Sequence, residues 1–265
     1  MELSKPTKKF FIWEEDRMKK TLFTAVLGIF LIAHVAAAQV QMLAVNLQAA
    51  KNVPLAVFLG DSANLEFLNK TQGQNDLVVV GPQALTLLAG VTKARTGLFF
   101  SEQDYLQAAS LVVQAKTLGA SLIGFAPDGQ MARDELLARI KAVADIVRNE
   151  ALKFLLAPKI GDLEKYPVMF ARANALLFPS QKFQTQPNYK SAVGVWIARI
   201  KKVNPSIRVW VQVSVNPSQN VALKPEQVLR NIAAIADVAD GALLSYNPMS
   251  WDVAKAVILK LRSRG

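Results

Sequence analysis

Two aspartates stand where apolar runs of the sequence end: Asp61 in Leu59-Gly60-Asp61, and Asp128 in Ala126-Pro127-Asp128. A pair of carboxylates flanking one bond is the equipment of glycoside hydrolysis, and on this reading Asp128 is the acid or base and Asp61 the second carboxylate. Lys159, in Pro158-Lys159 after another run, offers a different chemistry. A lysine whose amine is freed by desolvation condenses with a carbonyl to form a Schiff base. Gln181, Gln212, Ser214, Asn216, Tyr246 and Asn247 follow later runs and supply the amides and hydroxyls that hold a hydroxyl-rich ligand. Tyr189 and Trp251 add flat faces. Each also has a structural reading: Asp128 in Pro127-Asp128-Gly129 is good turn chemistry, Lys159 is a solvated loop lysine, and the amides form an internal hydrogen-bond network.

Composition narrows the chemistry further. The chain has 265 residues, 31 Lys+Arg against 20 Asp+Glu, one His and no Cys. Disulfides, Cys-ligated zinc and thiol nucleophiles are therefore excluded. At 52% hydrophobic and 19% charged, the chain buries a core and is not disordered.

Lys19-Lys20, the apolar stretch 22–33 and Ala36-Ala37-Ala38 read as the three regions of a signal peptide, about Met18 to Ala38, with Met18 as an alternative start. The stretch is shorter than the roughly 20 apolar residues a bilayer core requires. Six basic and four acidic residues precede Gln39, so cleavage there would take the net charge from +11 to +9. It would also remove His34, leaving carboxylates, lysines, tyrosines and amides for any proton transfer.

The elements that must position these groups are legible as eight short apolar runs: 55–59, 77–80, 98–100, 122–125, 154–156, 175–178, 207–215 and 242–244. Continuous apolar strands alternating with helical segments predict a parallel sheet covered by helices. Segment 102–118 places Leu106, Ala109, Val113 and Leu118 near helical spacing, and segment 135–151 does so with Leu136, Ile140, Val143 and Val147. Ser101 to Asp104 resembles a capped helix start, and Lys224-Pro225-Glu226 puts proline in a first helical turn. Proline follows six of the runs, at Pro82, Pro127, Pro158, Pro179, Pro217 and Pro248, where ladder pairing must stop.

Eight units without a linker predict one α/β domain over 39–265, a closed (β/α)8 barrel after residues 1–38. An open doubly wound sheet is the alternative, but Leu59-Gly60-Asp61-Ser62-Ala63 is no dinucleotide fingerprint. In the seventh run Arg208, Trp210, Gln212, Ser214 and Asn216 alternate with Val209, Val211, Val213 and Val215. Period two makes it a strand, with valines toward the helices and the polar set toward the barrel interior.

Ser180-Gln181, Ile200 to Pro205, Gln212 to Pro217 and Asp240 to Leu244 give the segment 174–247 a character that resembles a group of uncharacterised secreted bacterial TIM-barrel proteins, distantly similar to glycosidases. That resemblance implies the barrel and, in its glycosidase form, acids on strands four and seven. Here strand four offers Asp128 and strand seven only amides.

The sequence thus leads to a secreted or periplasmic barrel that binds, and in its enzymatic form hydrolyses, a glycan-like ligand. Two alternatives stand beside it: a catalytically silent envelope binding or scaffold protein, and a Schiff-base lyase using Lys159. No metal and no cofactor is expected. The basic surplus reads as a solvated surface or as attraction to an anionic envelope polymer, and no nucleic-acid motif is present.

Overall fold

Eight strands form on the predicted runs: β1 Leu55–Phe58, β2 Leu77–Val80, β3 Arg95–Ser101, β4 Leu122–Ala126, β5 Lys153–Leu156, β6 Ala175–Pro179, β7 Arg208–Ser214 and β8 Gly241–Ser245. They come from a computed structural model that describes residues 48–128, 130–218 and 221–263. Every neighbour pairing is parallel, and β8 pairs with β1 to close the barrel in sequence order. The protein is a TIM (β/α)8 barrel. The chain divides into residues 1–45 and 46–265, and the described residues belong to the second unit. The signal-peptide segment 18–38 and the choice between Met1 and Met18 lie outside the described residues.

Among the described residues these α-helices cover the strands: α1 Leu65–Thr71, α2 Ala108–Thr117, α3 Arg133–Asn149, α4 Ile160–Lys165, α5 Tyr189–Val203, α6 Pro225–Ile235 and α7 Trp251–Arg262. The β2–β3 crossover is 3-10 helix instead, Pro82–Gly90, broken at Ala84. Among the described residues no helix is long and apolar enough to cross a membrane.

The strand faces explain the apolar runs. Val209, Val211, Val213 and Val215 pack outward into the large core between sheet and helices. Trp210 faces inward with Ala56, Leu77, Val79, Leu155, Ala175, Leu177 and Leu243. Both faces of the strands are thus dry over most of their length, as a parallel barrel requires, and β3, β5 and β7 each open with an exposed residue. Two interior glycines make room for rings: a Cβ on Gly124 would meet Phe99 at 2.3 Å, and one on Gly241 would meet the Trp210 indole at 2.7 Å.

Segment 102–118 differs from its expected packing. Leu106 is 94% exposed and Val113 49%, while Ala108, Leu111, Val112 and Ala115 are buried. The segment opens with a 3-10 stretch, Glu102–Gln107, whose tighter turn rotates the following helix out of phase with a continuous 3.6-residue pattern. In α3 the periodicity holds, and Leu136, Ile140, Val143 and Val147 are all buried.

The helix starts follow local chemistry. Asp104 accepts from both Ser101 N and Ser101 Oγ at 3.1 Å. Pro225 occupies the first turn of α6, and Gln227 Oε1 accepts from Lys224 N at 2.9 Å. At the amino-terminal end, Arg262 of α7 makes two bonds to Asp76, at 2.6 and 2.9 Å. Asp76 also accepts from Leu55 N and Gly73 N, so one buried carboxylate ties the last helix to the first two strands.

Candidate functional site

The carboxyl ends of the strands carry the residues singled out from the sequence except Tyr189 and Trp251, which begin α5 and α7, and the floor beneath them is aromatic. Phe58 and Phe99 meet edge to face with centroids 5.4 Å apart.

Most polar groups at this end bind one another. Asn216 Oδ1 accepts from Ser250 Oγ at 2.5 Å and from Asn247 N at 3.4 Å. Asn247 caps the short 3-10 turn Pro248–Ser250, with Oδ1 accepting from Ser250 N at 3.0 Å. Ser214 Oγ accepts from Asn216 N at 3.0 Å. Tyr246 Oη donates to Phe58 O at 2.5 Å, and its ring packs against Trp251. Burial first, and then the negative charge of Asp61, push the Tyr246 phenol up to about 12, so it stays protonated at neutral pH.

Two residues that sequence reasoning did not place in the site organise this network. Gln184 is 5% exposed and spans the Ser214 backbone: Oε1 accepts from Ser214 N at 2.7 Å and Nε2 donates to Ser214 O at 2.9 Å. Ser180, fully buried, gives its proton to Gln212 O at 2.7 Å, so the Tyr189 hydroxyl 2.9 Å away must donate to Ser180 Oγ. Burial holds the Tyr189 phenol at about 12, opposed by that hydrogen bond. Tyr189, read from sequence as a flat ligand-binding face, is 4% exposed and belongs to the core.

The side chains of Gln181 and Gln212 form no hydrogen bond to the described residues, and both are half-buried. Gln212 pairs in register with Pro179 and Leu243, the latter on the inward face. Its amide therefore stands at the interior of the mouth.

The two aspartates have separate engagements. Asp61 caps the 3-10 turn Ser62–Asn64, taking Asn64 N and Asn64 Nδ2 at 3.3 Å each. Asp128 accepts from Lys159 Nζ at 2.8 Å and from Gln130 N at 3.3 Å. The Lys159 hydrogen bond first, and the Gln130 amide second, hold the Asp128 carboxyl below its usual range. Lys159 itself precedes α4, and the two side chains are 61% and 44% exposed.

No protein-family model matches the sequence, and comparison with curated proteins finds no match. Solved structures do match. Tryptophan synthase from M. tuberculosis aligns with 82% of this chain and 95% of its own at a TM-score of 0.57 and 13% identity. The tryptophan synthase alpha subunit from Campylobacter jejuni covers 79% and 95%, with TM-score 0.54 and 11% identity. Deoxyribose phosphate aldolase from Aeropyrum pernix covers 81% and 91%, with TM-score 0.54 and 8% identity. At these identities the likeness shows the barrel.

These comparisons correct the expectation of a glycan-binding hydrolase. The matched barrels are a synthase and an aldolase, so the distant glycosidase resemblance gains no support. The geometry gives the physical reason: Asp61 serves as a cap and Asp128 is bound to a lysine, so neither stands free to flank a glycosidic bond.

Proposed function

We propose that the mouth takes a small carbonyl compound and that the protein is a Schiff-base lyase in which Lys159 is the nucleophile and Asp128 the proton carrier. The observation that carries this reading is the 2.8 Å contact between Lys159 Nζ and Asp128 Oδ1 at adjacent strand ends. The shared architecture with an aldolase supports it as a fold-level analogy.

In the resting pair the ammonium donates to an ionised carboxylate. Transfer of that proton to Asp128 leaves the amine lone pair to attack the carbonyl carbon. The carbinolamine oxygen then receives the proton and departs as water, leaving a protonated imine and Asp128 ionised again. The imine draws the electrons of the adjacent carbon–carbon bond to form an enamine, while the leaving fragment gives its hydroxyl proton to Asp128. Asp128 returns that proton to the enamine carbon, and attack of water on the resulting imine releases the second fragment and restores the lysine. Gln212 and Gln181 are the free amides that would orient the substrate's polar groups.

Assay of carbon–carbon cleavage across small hydroxy-ketones and hydroxy-acids tests the proposal. Lys159→Arg should remove the activity, and Asp128→Asn should lower kcat with a smaller effect on KM. Equal rates for Lys159→Arg and the wild type would defeat it.

A second reading, a catalytically silent binding barrel, is favoured by the mutual satisfaction of Asn216, Asn247, Ser214 and Ser250. A folded protein that cleaves nothing in the panel would select that reading.

We also infer export, because segment 18–38 has the charge and hydropathy order of a signal peptide. Amino-terminal sequencing of the exported protein should begin at Gln39, and an unprocessed terminus would refute cleavage.

A further inference from the structure

The opposite end of the barrel has a feature that the mouth chemistry does not use. β3, β5 and β7 each begin with a basic residue: Arg95, Lys153 and Arg208. Strand alternation puts each on the inward face, two residues before Gly97, Leu155 and Trp210 respectively. Their register partners are apolar: Leu77 beside Arg95, Leu122 beside Lys153, and Ala175 beside Arg208. Three exposed cations therefore ring the amino-terminal end, with hydrophobic side chains between them.

Together they line a cavity of about 670 Å³ that also includes Leu77, Leu122 and the Trp210 indole. Among the described residues no carboxylate lines the cavity, and none of the three cations makes an ion pair. Several cations elsewhere on the barrel are paired, Arg262 with Asp76, Arg139 with Glu135 and Glu102, and Lys190 with Asp237. One guanidinium nitrogen of Arg95 bonds Asn75 O at 2.8 Å, leaving its other donors without a described partner. Asn174, also in the lining, uses its oxygen on Phe154 N at 2.9 Å, so its amide nitrogen remains available to donate.

Strands two apart lie about 10 Å from one another. That is about the Debye length in 0.1 M salt, so the three charges repel at low ionic strength. An anion placed among them relieves the repulsion, and the apolar lining excludes water from one side of it.

We propose that the amino-terminal end of the barrel is a binding site for a small organic anion. Its apolar or aromatic body would settle against Leu77, Leu122 and Trp210. Its two or more negative charges, as phosphate or carboxylates, would be held by Arg95, Lys153 and Arg208. The site is independent of Lys159 and of any chemistry at the mouth.

Calorimetric titration of the full chain with 1-naphthyl phosphate and with naphthalene-2,6-dicarboxylate tests the site. Both arms carry a ring and two negative charges, and the tighter of the two identifies the anionic group. One site should appear, at least about tenfold tighter than for inorganic phosphate or neutral 1-naphthol. It should weaken as salt rises from about 20 to about 500 mM.

Arg95→Gln and Arg208→Gln should each weaken binding by about tenfold. Lys70→Gln, which removes an equal charge outside the cavity, should leave binding unchanged. Without ligand at low salt, Arg208→Gln should raise the thermal midpoint because it relieves repulsion. Binding of 1-naphthol as tight as that of its phosphate would overturn the proposal. So would equal losses in Lys70→Gln and Arg208→Gln, or no binding by the folded wild type.

Discussion

Lys159 and Asp128 meet across the rim where β5 and β4 end, Nζ 2.8 Å from Oδ1, and the contact joins two loops that the chain separates by a whole helix. The pair is largely exposed, so it stabilises the fold little and is free to exchange its proton with a ligand.

The pair sets a pH dependence with a defined sign. Asp128 is held below its ordinary value of 3.8, chiefly by the Lys159 hydrogen bond. A carboxyl depressed in the folded state contributes stability that is present above the unfolded value and lost as pH falls through the folded one. The difference in thermal midpoint between wild type and Asp128→Asn should therefore be widest near neutrality and close on acidification below 3.8. A difference that grows in acid would contradict the pairing.

Gln184 should matter more than the residue it holds. Gln184→Ala leaves the buried Ser214 N–H and C=O without their partner, and unsatisfied groups of this kind cost about 1–3 kcal/mol each. Urea unfolding should show a loss of about 2–6 kcal/mol for the two groups together. Ser214→Ala should cost less, since it removes only the bond from Asn216 N.

The interior glycines should not accept a methyl group. A Cβ at residue 241 would sit 2.7 Å from the Trp210 ring, so Gly241→Ala should destabilise by about 1–3 kcal/mol. Combining it with Trp210→Leu should recover part of the loss. Additive losses in the double variant would show that the ring is not the obstacle.

Arg262 and Asp76 close the amino-terminal end with side chains 11% and 4% exposed. Arg262→Met strands a buried carboxylate and should cost about 3–5 kcal/mol by equilibrium unfolding. Asp76→Asn in the same background should restore part of it by removing the stranded charge.

The barrel was readable because both faces of its strands are dry. The alternation from Arg208 to Asn216 even assigned the valines outward and Trp210 inward, as observed. The face of α2 was not readable, because the 3-10 turn before it changes the phase and alanines such as Ala108 and Ala115 carry little pattern.

The polar residue types at strand ends do gather at one end of the barrel, but sequence cannot tell a ligand-binding amide from a paired one. Asn216 accepts from Asn247 and Ser250 in a different loop, the Asn247 side chain caps its own turn at Ser250, and Gln184 gave no signal because its burial depends on Ser214, thirty residues away. The carboxylate pair failed for the same reason: only the folded chain brings Lys159 onto Asp128 and turns Asp61 onto its own cap. The cations at the far end did leave a signal. Each is a basic residue opening an otherwise apolar strand at an inward-facing parity.

Borohydride trapping distinguishes a Schiff-base lysine from a solvated one at residue 159. The full chain is incubated with small aldehydes, ketones and keto acids, reduced, digested and mapped by mass spectrometry. A reduced adduct is expected on the peptide carrying Lys159 with at least one carbonyl compound, dependent on Asp128 and absent from Lys159→Arg. No adduct at Lys159, or labelling there no greater than at an exposed lysine such as Lys70, would contradict it.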